Sequence, residues 1–177
     1  FKRLIAYSSI AHVGLISAGI FTLTQQGLTG AVVQMISHGI NVVGLFYIAD
    51  IISSRTHTRQ ISDLGGIRNV APQFAVLFLI VLLGSIALPL TNGFVGEILL
   101  LSGVFQHSIW TAVFAGLTVI LGAVYMLRSY QGIMLGEVNG RTSSFSEIGL
   151  SEKAILIPIV VLILVFGLFP GPILELA

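Results

Sequence analysis

Long apolar runs alternate with short polar interruptions along this chain. Apolar residues dominate at about 4–24, 29–52, 73–105, 109–135 and 154–169, separated by the turn TQQGLT, a polar loop over 53–72, and EVNGRTSSFSEIGLSEK over 137–153. A hydrocarbon core of about 30 Å needs about 20 helical residues, so these runs predict membrane spans. The expected fold is all-α: a polytopic transmembrane helix bundle of five spans, forming a single transmembrane domain over residues 1–177.

The third run is too long for one regular helix. Its roughly 33 residues would extend about 50 Å at about 1.5 Å per residue, and LPLTNGFVGEILLL interrupts it with Pro89 and Gly93. Pro89 has no amide hydrogen and Gly93 leaves the backbone unconstrained, so a helix break is predicted at 89–93 within one discontinuous span. Irregular backbone at that depth belongs against protein or a wet cavity. In transporters such helices mark ion and substrate sites.

Charge supplies an orientation. The eight Lys and Arg residues are Lys2, Arg3, Arg55, Arg59, Arg68, Arg128, Arg141 and Lys153. A single crossing by residues 73–105 puts seven on one side with Arg128 leaning toward it, whereas two crossings split them. The positive-inside rule favours the first arrangement. The basic loops are therefore expected on the cytoplasmic side of a bacterial plasma membrane, or the matrix side of the mitochondrial inner membrane, with Ala177 outside. Composition agrees: 55% of residues are hydrophobic and 8% charged, with a mean hydropathy of +1.03, against roughly a quarter charged in soluble domains.

Without cysteine, the chain offers no thiolate ligand for zinc or an iron–sulfur cluster. No phosphate-binding glycine loop, metal-spaced histidine cluster or nucleophile triad occurs. The basic loops read as topology signals and headgroup contacts, not a nucleic-acid site. No signal peptide is visible at FKRLIAY, and the absent initiator Met and abrupt ends predict a fragment of a longer polypeptide.

Three ionisable side chains interrupt the apolar segments: His12, His38 and Glu97. Each lies nine residues from a polar boundary, about 13 Å deep, so all three are expected at one level near the midplane. Ionisable groups there are expensive and mark proton or ion paths. Imidazole, with a reference pKa near 6.5, both accepts and donates protons. Gln34, His38 and Asn41 follow one helical face, and Ser8 precedes His12 by four residues. The structural alternatives are histidines bonded to a neighbouring helix and a protonated carboxyl holding helices together. Smaller expectations are a kink at Pro158, close packing at Gly132 and Gly136, a cap from Ser151, and pairing of Asp50 with Arg55 or Arg59.

KRLIAYSSIAHVG, VVQMISHGINVVGLFYIADII, HTRQISDLGGI and LPLTNGFVGEILLLSGVFQ, in that order, resemble the antiporter-like subunits of respiratory complex I, the proton-pumping NADH:quinone oxidoreductase. The similarity is greatest to the M type, mitochondrial subunit 4, in which the broken helix carries glutamate as FVGE does here. L-type and N-type subunits and multisubunit antiporter subunits typically have lysine there. Many M-type members have glycine after the proline of the break, where Leu90 stands. The resemblance implies that this is the C-terminal part of a longer subunit. It makes His12 and His38 relay sites and Glu97 the terminal proton-exchange site, closing a half-channel to the outside. Gln34, Asn41 and Thr91 are supporting candidates from position alone. No cofactor is expected in this chain; NADH, FMN, iron–sulfur clusters and quinone belong to partner subunits. Expected partners are other membrane subunits of complex I, the lipid bilayer, protons and internal water, with no nucleic acid. The rivals are a multisubunit cation/proton antiporter subunit and a membrane subunit of an energy-converting hydrogenase.

Overall fold

The computed structural model describes residues 1–177, and every regular element in it is helical. The helices are α1 (Lys2–Phe21), α2 (Gln25–Thr56), α3 (Ile67–Val70), α4 (Pro72–Ser85), α5 (Asn92–His107), α6 (Ile109–Met134), α7 (Leu150–Leu168) and α8 (Gly171–Leu176), with a 3-10 turn at Ile61–Asp63. Four of them, α1, α2, α6 and α7, are long and apolar enough to cross a membrane; α4 is a shorter apolar helix.

The 32-residue α2 is the central post, packed by α1, α4, α5 and α7. Thr24 starts it by accepting the Gly27 N–H at 3.1 Å, and His57, at φ 53°, ends it. This helix runs beyond the expected 29–52 because its polar flanks remain helical. The expected loop at 53–72 accordingly contains the last turn of α2, the 3-10 turn and α3.

Small residues bring α5 onto α2. A Cβ on Gly103 would stand 2.7 Å from Gly27 Cα, and one on Gly96 2.9 Å from Gln34 Cα. Such backbone proximity is how membrane helices gain contact area when hydrophobicity no longer drives their association. Toward the basic loops, Phe74, Phe78, Ile48, Ile52, Met126 and Leu156 belong to one buried apolar cluster. By contrast, α6 leaves Trp110, Phe114, Ile120 and Leu121 exposed, an apolar face suited to lipid.

Between α4 and α5 the non-helical residues are Ile86 to Thr91. The interruption therefore begins three residues before Pro89, and Gly93 lies inside α5, a correction to the expected 89–93. The residue before a proline disfavours helical geometry, so unwinding starts upstream. Ala87 and Leu90 take positive φ values of 54° and 75°. Leu88 N–H reaches back to Leu83 O at 3.1 Å, and Leu88 O accepts both Thr91 N–H at 3.0 Å and its hydroxyl at 2.6 Å. Gly93 serves close packing: its Cβ would meet Gly84 O at 2.6 Å.

Other boundary expectations change too. Glu152, not Ser151, caps α7, accepting the Gly149 N–H at 2.8 Å. Asp50 pairs with Lys2 at 3.0 Å, while Arg55 holds Glu152. Gly132 approaches Ile61, whereas Gly136, at φ 89°, lies beyond the end of α6 with nothing near its Cβ position. Pro158 lies within α7 without ending it.

Candidate functional site

Glu97 sits one turn into α5, 4% exposed. His12 of α1 brings Nε2 to 3.2 Å from its Oε1. Gln34 of α2 donates from Nε2 to the same oxygen at 3.4 Å. Three helices thus converge on one carboxylate oxygen.

The other imidazole nitrogen defines the chemistry. His12 Nδ1 is 2.8 Å from the Ser8 carbonyl, which only accepts, so Nδ1 carries a hydrogen. A neutral ring would then have a bare Nε2, and its approach to Oε1 requires a proton between them. The pair is therefore either imidazolium with carboxylate or neutral imidazole with carboxylic acid. Both forms hold one exchangeable proton on the same short line.

His38 lies against His12, with ring centroids 4.8 Å apart and planes inclined by 23°. Two positive rings that close repel by about 3 kcal/mol at an effective dielectric of about 20, which disfavours charging both at once. The three predicted residues are thus brought together: Glu97 touches His12, and His12 stacks on His38.

The supporting candidates separate. Gln34 touches Glu97, and its own Oε1 is buried without a partner. Thr91 bonds within the break, to Leu88 O rather than to the acid. Asn41 sits farther along α2, its buried Oδ1 unpartnered and 3.0 Å from the Cβ position of Gly84. Asn92 Oδ1, also unpartnered, is 3.4 Å from that same position. Pro89 lies in the break.

Sequence reasoning missed a reciprocal latch between α2 and the first residue of α5. Ser37 Oγ donates to Asn92 O at 3.0 Å, and Asn92 Nδ2 donates back to Ser37 O at 3.3 Å. Asn92, the first residue of α5, was the available signal; its partner 55 residues earlier was not.

A helical bundle with several membrane-length apolar helices and a buried acid–imidazole pair inside it defines an integral membrane protein with an internal ionisable site. The chain belongs to the family described as NADH:quinone oxidoreductase/Mrp antiporter, TM, which matches residues 1–122. Among curated relatives, NADH-quinone oxidoreductase subunit M of Rickettsia prowazekii (strain Madrid E) is 45% identical over 175 residues, 98% of this chain and 36% of the relative. The chain spans about a third of the length of the curated relatives it matches. In the solved structure of respiratory complex I from Thermus thermophilus with bound NADH, one chain superposes with a TM-score of 0.90 at 33% identity, over 99% of this chain and 38% of that one. The Mrp complex from Dietzia sp. shares the fold, with a TM-score of 0.88 at 23% identity over 97% of this chain and 40% of that one.

Proposed function

We propose that this segment works within an M-type antiporter-like subunit of a proton-translocating NADH:quinone oxidoreductase. In that subunit Glu97, His12 and His38 form the last part of a proton relay. The observation that carries this reading is the His12–Glu97 pair at 3.2 Å, with His38 stacked behind it, where α1 and α2, both of membrane length, meet the shorter α5. A proton moving along Nε2···Oε1 exchanges an ion pair for a neutral pair without moving a heavy atom. The next imidazole, 4.8 Å away between ring centroids, offers the adjoining station. Titrations of groups this close are coupled, so a charge arriving beside His38 changes how tightly Glu97 holds its proton. Redox energy would arrive from partner subunits, to which NADH, FMN, iron–sulfur and quinone chemistry is assigned. Other membrane subunits, lipid and internal water would be the chain's immediate partners.

On this reading α4, the break and α5 form one discontinuous crossing, making five spans with α1, α2, α6 and α7. The basic loops then face the cytoplasm or matrix and the end of the chain faces outward. The positive-inside distribution supports this arrangement. A cation/proton antiporter role is the second reading, favoured by the shared fold of the Mrp complex. Against it stands Glu97 where, by the resemblance, such subunits typically carry lysine.

The test is Glu97→Gln in the assembled complex, which keeps size and polarity but removes the exchangeable proton. Proton pumping per NADH oxidised should fall. Unchanged stoichiometry and rate would remove Glu97 from the proposed role.

A further inference from the structure

Both protein partners of Glu97 crowd onto Oε1, whereas Oε2 has no hydrogen-bond partner in the chain. Against the carboxyl lies a cavity of about 20 Å³ between α1, the end of α4 and α6, enough for one water. Its polar lining includes four hydroxyls. Two of them are committed elsewhere: Ser85 donates to Leu82 O and Thr118 to Ala115 O, each at 2.7 Å. Ser8 and Tyr125 line the same cavity, and their hydroxyls make no hydrogen bond within the chain. Ala11, Gly122 and Ala123 keep the space open. A Cβ on Gly122 would lie 3.7 Å from the Tyr125 hydroxyl.

We propose that Tyr125 is a positioning residue for Glu97: with Ser8, its hydroxyl holds a water against Oε2, making that oxygen the carboxyl's point of exchange with water, while Oε1 keeps its exchange with His12. This rests on the proton-relay reading above. The division of labour follows from the geometry. Oε1 is held by His12 and Gln34, which leaves Oε2 free beside a space that Glu97 itself lines. During an exchange the pair, as imidazolium and carboxylate, takes up a second proton: an O–H bond of the protonated water breaks as an Oε2–H bond forms, Oε1 still accepting from His12 Nε2. Release reverses the step, returning the proton to the water and onward to the next water. Tyr125 remains neutral and nothing is oxidised or reduced. A phenol suits this task because its hydroxyl both donates and accepts, on a rigid ring anchored in α6.

The experiment uses membrane vesicles carrying the assembled complex with the full-length subunit. Tyr125→Phe removes only the hydroxyl, and Ala123→Leu fills the cavity with carbon. Each should slow NADH-driven proton pumping by about five-fold, the scale of one lost hydrogen bond. Each should also shift the infrared carbonyl band of protonated Glu97, assigned by its loss in Glu97→Gln. Assembled Tyr125→Phe with wild-type pumping and an unmoved band would overturn the inference. If Tyr125→Phe fails to assemble, Ala123→Leu decides by the same two readouts. Should Glu97→Gln pump normally, the relay reading itself falls; should it stall while the cavity variants pump normally, only the Tyr125 inference falls.

Discussion

Gly167 of α7 rests directly on the backbone of Leu90 in the break, with a Cβ at this glycine meeting Leu90 C and Thr91 C at 2.5 Å each. The atoms in the way are main chain, so no rotamer change relieves them. Gly167→Ala should therefore push α7 off the break or move the break itself. Overpacking of this kind costs about 1–3 kcal/mol, more than the roughly 1 kcal/mol that alanine gains over glycine in a helix. Thermal inactivation of the assembled complex should occur at lower temperature, with pumping reduced because the break carries α5 and Glu97. Gly116→Ala, at a site with no neighbour within 4 Å, supplies the control and should not lose stability.

Leu90 itself carries backbone strain. At φ 75° it occupies the left-handed region, which costs an L-residue about 1–2 kcal/mol, and the residue is 65% exposed. Leu90→Gly relieves the strain and gives up little burial, against roughly 0.5–1 kcal/mol of added chain entropy. A small gain in thermal midpoint is expected. Leu90→Val, whose branched Cβ fits that region less well, should lower the midpoint, and the order Gly above Leu above Val is the measurement.

Much of the helical architecture is legible in the chain because lipid makes the length of apolar runs decisive. The apolar runs correspond to helices, and His12, His38 and Glu97, inferred to lie at one depth, meet in one cluster. Details that depended on distant partners were not legible. Gly93 looked like a breaker but is a packing contact for Gly84 O, because the proline's effect propagates toward the preceding helix. Ser151 looked like a cap by local pattern, yet Glu152 caps α7. The unpaired hydroxyl of Tyr125 became meaningful only once α1 and α6 were placed side by side.

Arg55 gathers the loop between α6 and α7. Its guanidinium donates to both carboxylate oxygens of Glu152 at 2.7 and 2.6 Å and to Ser146 O at 2.7 Å, and it stands 5.0 Å from the centroid of the Phe145 ring. Lysine cannot reproduce a fork and a flat face together. Arg55→Lys should loosen residues 137–149 while α2 stays intact. The expected result is faster proteolysis of that loop in inverted vesicles, corresponding to loss of about 1–3 kcal/mol of local stability for charged hydrogen bonds. Cleavage at the wild-type rate would mean that Glu147, whose carboxylate accepts the Gln73 and Phe74 N–H groups at 2.8 and 3.0 Å, holds the loop alone.

Sidedness can be read chemically, since this segment has no native cysteine. Ser143 lies exposed in the loop between α6 and α7, and Gln26 lies exposed at the start of α2. Under the single-crossing topology these positions face opposite sides of the membrane. In a background with any cysteines elsewhere in the full subunit removed, a membrane-impermeant maleimide should label Ser143→Cys in inverted vesicles but not in right-side-out ones, and Gln26→Cys in the reverse pattern. A second pair tests parity directly. Thr58, ahead of α4, and Asn139, after α6, share a side if α4 and α5 together cross once, but lie on opposite sides if each crosses separately. Asn139 Nδ2 donates to Asp63 O at 3.1 Å, tying the two loops together, so Arg59→Cys and Arg141→Cys, both exposed neighbours, are the better labelling positions. Both should react in the same vesicle preparation. Labelling in opposite preparations would break the proposed crossing into two and remove the depth argument that sets Glu97 near the midplane.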